Sequence, residues 1–224
     1  MAGSLTLRQG MLAALLTATA GFVDGLAFIH LGGYFVSFMS GNSTRAGADL
    51  ATGDLLGWAK AMGLVGFFVA GVVASSLAVH LRTSRAGVRE SAGPRSTAVW
   101  VSLLLILAAA VFASVPALQA AVPPAIAAGM GAVNGTFTRG GEVTVGLTYM
   151  TGTLVKTGQH LAHALTGGNR TVWLRYLALW AAIAIGSIAG AMTYRWLGLG
   201  SLWAAVVLLL VPAVLLGARL RRPA

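Results

Sequence analysis

The sequence predicts an all-α polytopic membrane protein. Six transmembrane helices and two re-entrant segments, each a short strand leading into a half-helix, are expected to form an inverted internal repeat of three plus three helices. Three observations predict this class: charges too few for a water-facing surface, apolar stretches of bilayer length, and a motif series that occurs twice.

Of 224 residues, 57% are hydrophobic and 9% are charged, against the roughly one quarter charged in a soluble domain. Apolar stretches cover residues 11–28, 58–79, 97–117, 121–137, 171–192 and 202–216, each near the ~20 residues that cross a bilayer as a helix. The first follows Arg8 and passes through Thr17, Ala18, Thr19 and Ala20, a small-residue tract of the kind found at signal-peptide cleavage sites. It continues beyond Ala20 into a motif that recurs later, so it reads as a retained first crossing. The chain has no cysteine, which excludes disulfides, thiolate metal sites and thiol catalysis.

The recurrence divides the chain into residues 1–117 and 118–224. Gly21-Phe22-Val23-Asp24-Gly25 matches Gly131-Ala132-Val133-Asn134-Gly135 at an offset of 110, and Phe38-Met39-Ser40-Gly41 matches Tyr149-Met150-Thr151-Gly152 at 111. The alignment continues in step: Arg45 falls on Lys156, Gly47 on Gly158 and Asp49 on His160, and Ala70-Gly71 resembles Ala189-Gly190. Duplication of this kind is a common construction for transporters and channels. Gly21, Gly25, Gly66, Gly71, Gly186 and Gly190 are read as close helix-packing positions, and the tryptophans as belts at the membrane interface.

In each half a segment too polar for an ordinary crossing follows the first long helix. Residues 34–38 and 143–149 are aromatic and β-branched, which favours extended chain. Ser40, Asn42, Thr151 and Thr153 then offer side chains that cap helix starts, and Gly53 and Gly167 mark natural helix stops. Loop charge decides between dipping and crossing. If both segments are re-entrant, Arg8, the basic loop 82–96 with Arg82, Arg85, Arg89 and Arg95, and the terminal Arg219, Arg221 and Arg222 share one side, with Arg139, Arg170 and Arg175. Only Lys60 and Arg195 then lie near the other, which satisfies the positive-inside rule. The net charge of +10 is therefore a membrane signal. Without interleaved aromatic residues, it is not a nucleic-acid interface.

Two half-helix N-termini meeting near the bilayer centre would attract an anion through unpaired N–H groups and the helix dipole. The substrate-binding candidates are Ser40, Gly41, Asn42, Ser43 and Arg45 in one half, and Thr151, Gly152, Thr153 and Lys156 in the other. Arg45 and Lys156 sit at the positive end of a helix dipole, where a negative partner is expected. For Arg45 that partner could be Asp49, four residues on, or Asp24 from the first helix. Lys156 has His160 at the same spacing, so the second half keeps the cation and loses the carboxylates. Asp24, Asp49 and His160 are candidates for proton coupling. His160 and His163 are three apart, but no carboxylate cluster or cysteine completes a metal site, and no cofactor is expected.

At these residues the chain resembles a known family. Gly21-Phe22-Val23-Asp24-Gly25, Leu31-Gly32-Gly33-Tyr34-Phe35-Val36 and Met39-Ser40-Gly41-Asn42-Ser43 look like the signature of the YoaK-like bacterial membrane proteins, a family labelled as a domain of unknown function. The family's usual Met-Thr-Gly-Asn stands here as Met39-Ser40-Gly41-Asn42, which keeps a hydroxyl. The resemblance implies a small bacterial integral membrane protein and carries no established substrate or catalytic residue. A strand followed by a half-helix in both repeats is also similar, more distantly, to nucleobase and sulfate transporters, by analogy alone.

The expected function is that of a membrane transporter or channel for a small solute, an anion bound between the two half-helix starts near the midplane, with proton coupling an open option. A membrane-embedded enzyme is the competing reading, but with five acidic residues and no cysteine the chain offers few groups for a catalytic constellation. A partner-binding or purely structural membrane protein is the third. The expected partners are the solute and the lipid bilayer, with room for a homodimer and none for nucleic acid. The expected location is the bacterial inner membrane, with both termini cytoplasmic.

Overall fold

The computed structural model describes residues 6–86, 94–139 and 142–219. The expected charges at Arg89, Arg221 and Arg222 lie outside the described residues. Eight helices follow in order: α1 Leu7–Leu31, α2 Met39–Ala51, α3 Leu55–Ala86, α4 Ser96–Ala113, α5 Val122–Val133, α6 Met150–Leu165, α7 Val172–Leu197 and α8 Leu202–Arg219. A two-residue antiparallel ladder, β1 Thr138–Arg139 with β2 Glu142–Val143, lies between α5 and α6.

Five stretches are long and apolar enough to cross a membrane: Leu7–Leu31, Leu55–Ser84, Ser96–Ala113, Pro116–Thr136 and Val172–Gly217. The last comprises α7 and α8, divided by the 3-10 turn Gly198–Ser201, where Gly198 takes a φ of 55°. The fourth is α-helical only over α5, because Pro116 opens a 3-10 turn before it and Asn134–Thr136 close it with another. Outward-facing Leu56, Phe67, Leu77, Ile185, Ile188 and Leu215 give the bundle an apolar belt of a kind that water-soluble monomers do not carry.

The closest helix contacts cross between the two halves. Gly186 of α7 faces the Ala18 carbonyl of α1 and Gly190 faces that of Phe22, so closely that an added Cβ would stand 2.1 and 1.9 Å from those oxygens. Gly21 and Gly25 return the contact against Ile183 and Ser187. Small residues four apart let helix backbones touch in this way in membranes, where lipid gives helices no hydrophobic reason to associate. Further along, His30 Nδ1 and the Tyr194 hydroxyl are 2.9 Å apart, so α1 and α7 run in the same direction. Helices α3 and α5 pair likewise, Gly71 on Ala128, Gly131 on Phe68 and Ser75 beside Gly135. Five of the six glycines read as packing positions make these contacts; Gly66 faces open space.

Helix α1 ends at Gly32, whose φ of 69° suits the left-handed cap that glycine adopts without strain. The Lys60 ammonium, in the second turn of α3, donates to the Leu31 carbonyl at that end. Residues 32–54 therefore leave and return to the same end of the bundle, and α2 packs on α3. Residues 34–38 form no strand, contrary to expectation, and of residues 143–149 only Val143, the last residue of β2, is in a strand. The reason is local. The backbone donors at Phe35, Val36 and Ser37 are taken by the side chains of Asn42 and Asp24, leaving none for a ladder.

Candidate functional site

The short polar helices begin where the middle of α1 meets the loops before them. Asp24, buried in α1, accepts from the Val36 and Ser37 amides at 2.8 Å each, and its second oxygen takes the Ser37 hydroxyl. This carboxylate thus closes the loop that leads into α2. Asn42 holds the same loop from the other side, accepting from the Phe35 amide at 2.9 Å and donating to its carbonyl at 2.7 Å.

The start of α6 is built differently. Asn134, at the position matching Asp24, turns its amide to the Met130 carbonyl at 2.9 Å and receives the Thr148 hydroxyl at a long 3.4 Å. A cavity of about 10 Å³ is lined by Thr17 of α1, Gly146, Leu147, Tyr149 and Thr153 around the first turn of α6, and Leu179 and Ile183 of α7. That is room for about one water-sized sphere. Thr17 is 5% exposed, and its hydroxyl has no hydrogen-bond partner among the described residues and is not sealed from solvent-sized space. Thr17 and Asp24 are seven residues apart, two helical turns, so they share a face of α1 about 10 Å apart along its axis. Both half-helix starts thus abut one stripe in the middle of α1. The two helices themselves do not pack together, α2 lying on α3 and α6 on α7.

The expected caps do not cap. The N-cap positions are Phe38 and Tyr149, neither with a side-chain cap bond, because each helix begins one residue before its hydroxyl tract. Ser43 and Thr44 are exposed and donate back to Met39 and Ser40 carbonyls, and Ser40 and Thr151 are exposed. Gly41 is pressed by the Phe35 and Phe38 rings, whereas Gly152 faces open space.

Arg45 takes the local partner. Its Nε donates to Asp49 at 2.9 Å, the Tyr34 hydroxyl donates to the other Asp49 oxygen at 2.8 Å, and the guanidinium lies 4.9 Å from the Tyr34 ring centre. Asp24 is committed to the loop and does not reach Arg45. The Lys60 ammonium also lies over the Tyr34 ring, 4.4 Å from its centre. In the second half Lys156 and His160 both use Tyr176 of α7, the ammonium at 5.7 Å and the imidazole stacked at 5.1 Å.

Tyr34, Thr17 and Tyr176 join the site without having been singled out in the sequence. Tyr34 stands in the Leu31-Gly32-Gly33-Tyr34 motif, and Thr17 is a hydroxyl within an apolar crossing, both readable signals; Tyr176 offered none. The residues of α2 and α6 supply no metal cluster, and among the described residues no group of three metal-ligating side chains occurs.

Residues 12–215 match the model of a family described as protein of unknown function, DUF1275. The chain belongs to the DUF1275 family. A UPF0700 transmembrane protein of Rhizobium meliloti (strain 1021) is 32% identical over 200 residues, covering 86% of this chain and 79% of that protein. Family and apolar helices together make this a multi-pass membrane protein. The DUF1275 match takes in both half-helices and the α1 stripe between them. No solved structure matches the chain.

Proposed function

We propose that the protein is a transporter or channel for a small anion, which passes along the α1 stripe between the starts of α2 and α6. One observation carries the reading: the start of α6 has no side-chain cap and no acidic residue in its first turn, and it borders a cavity lined by the Thr17 hydroxyl, which has no partner among the described residues. Exposed N–H groups and the positive end of the helix dipole favour negative charge there. Non-helical backbone at bilayer depth is tolerated only where protein or a water-filled cavity surrounds it, which suits residues 32–38 and 144–149 lining such a path.

An inverted repeat fits the same picture. Helix α1 runs with α7, α5 runs with α3, and Lys60 sets the start of α3 at the end of α1, so the first helices of the halves point in opposite directions. In this reading both termini and the basic loop face the cytoplasm, across a bacterial inner membrane. Asp24 is the coupling group. When ionised it occupies the start of α2 and repels an anion; a proton on it removes that charge. In this reading Asp49, bonded to Arg45 and Tyr34, takes no part in coupling.

Thermal stability of the purified protein against a panel of halides, oxoanions and carboxylates, followed by flux of the hit in liposomes, tests the proposal. A ligand at 100 times its dissociation constant adds about 2.7 kcal/mol. Stabilisation that is lost in Thr17→Val and accompanied by flux supports transport. No response to any anion, with a folded wild type, sinks the anion reading. Binding without flux favours a membrane-embedded enzyme or a partner-binding protein.

A further inference from the structure

We infer that the groove between the start of α1 and the end of α8 binds an anionic phospholipid, with its headgroup at Arg8 and an acyl chain laid along the two helices. The groove measures about 360 Å³, within the range of small-molecule sites. Its walls are Met11, Leu12, Leu15, Leu215 and Leu216, with Pro94 and Pro212.

Polarity runs along it in one direction. Arg8 and Gln9 stand at the end of α1, and the wall from Met11 to Leu15 is apolar, a run of seven residues from Arg8 that measures about 10 Å along the helix. A lipid has the same gradient, charge at the interface and hydrocarbon inward. A polar solute would meet seven apolar side chains and one cation, and a detached hydrocarbon would leave Arg8 without a use. Gln9 is already engaged in a reciprocal cap with Thr6, its side chain accepting from the Thr6 amide at 3.0 Å and its amide donating to the Thr6 hydroxyl at 3.3 Å. Arg8 makes no hydrogen bond or ion pair among the described residues. It is the cation left to meet a phosphate.

Position and backbone agree with this occupant. Because α1 and α7 run together, Arg8 shares its end of the bundle with Arg170 and Arg175, the basic end, and basic pockets between helices at such an end are suited to anionic headgroups. Pro212 lies inside α8 and cannot donate to the carbonyl four residues earlier. Pro212 lines the groove beside Leu215 and Leu216, so its missing donor leaves a backbone carbonyl of α8 without its helical partner next to the groove.

Delipidated protein in detergent is titrated with dioleoylphosphatidylglycerol and with dioleoylphosphatidylcholine, which has the same chains, and thermal stability is followed. The phosphatidylglycerol midpoint is expected at lower lipid concentration, and Arg8→Gln is expected to weaken it about fivefold while leaving the phosphatidylcholine midpoint unchanged. Leu15→Trp, which fills the groove, is expected to remove the preference in protein whose lipid-free melting is unaltered. Equal response to both lipids in wild type, no response to either, or an Arg8→Gln variant that keeps the full preference overturns the inference. None of these outcomes bears on anion transport, which is read elsewhere on α1.

Discussion

The two half-helix starts rest on matching sequence and are finished differently. At α2 a buried carboxylate collects two backbone amides and a hydroxyl, so the protein supplies its own anion. At α6 the matching Asn134 spends its amide on its own helix and receives one long hydrogen bond, and a small cavity with the Thr17 hydroxyl takes the place of tight closure. Buried donors are expensive to leave unpaired, so while Asp24 is ionised the first hairpin is held closed by the protein's own carboxylate. The second keeps a small cavity at its start, which is where the proposal places the solute. The same contrast holds for the cations: Arg45 has a carboxylate and a tyrosine, whereas Lys156 lies against the Tyr176 ring and has no carboxylate partner among the described residues.

The largest expected effect breaks the locked side. Asp24→Ala removes the acceptor of three donors and is expected to destabilise the protein by about 3 kcal/mol or more, measured as loss of thermal stability in detergent. Asn134→Ala, the matching change, is expected to cost only about 1 kcal/mol. Equal losses at the two positions would erase the distinction between the hairpins. Next comes a conversion of one side toward the other: Asn134→Asp places a carboxylate at mid-bundle without the donors that Asp24 has, at a cost of about 3 kcal/mol on membrane-insertion scales. The same variant is expected to abolish stabilisation by anions, because the new charge competes with them. An unchanged anion response in folded Asn134→Asp would move the site away from α6.

Smaller effects sharpen the comparison. Arg45→Gln removes a half-exposed ion pair and is expected to lower stability by no more than about 1 kcal/mol, with anion response retained. Thr17→Val is the smallest in stability, within about 0.5 kcal/mol, yet it is expected to abolish the anion response. A Thr17→Val protein that responds like wild type, beside an Arg45→Gln protein that does not, would place the site at α2.

Much of the fold was legible in the chain because the bilayer imposes it. Stretches of about 20 apolar residues have few other uses, and glycines four apart announced the contacts of Gly21, Gly25, Gly186 and Gly190. The stops at Gly53 and Gly167 were readable for the same local reason, since both carry positive φ. The strands and caps were misread. β-propensity reports what a segment can do when a neighbour offers a ladder, and the donors of residues 35–37 had already been claimed by Asp24 and Asn42. A hydroxyl one residue inside a helix bonds back to the preceding turn, as Ser43 and Thr44 do, and leaves the cap position to an aromatic residue.

Composition, apolar lengths and the doubled motif by themselves determined that this is a helical multi-pass membrane protein with two interrupted, polar segments. Those properties depend only on transfer between water and lipid and on backbone freedom, which each residue carries wherever it lies. Partner choice was decided by the tertiary structure alone: Asp24 turned to the loop, Arg45 to Asp49, α1 laid against α7, and both half-helix starts brought to one stripe of α1. Each of these is a contact between residues that several segments could have satisfied, and only the folded geometry brings one candidate within hydrogen-bonding distance of another.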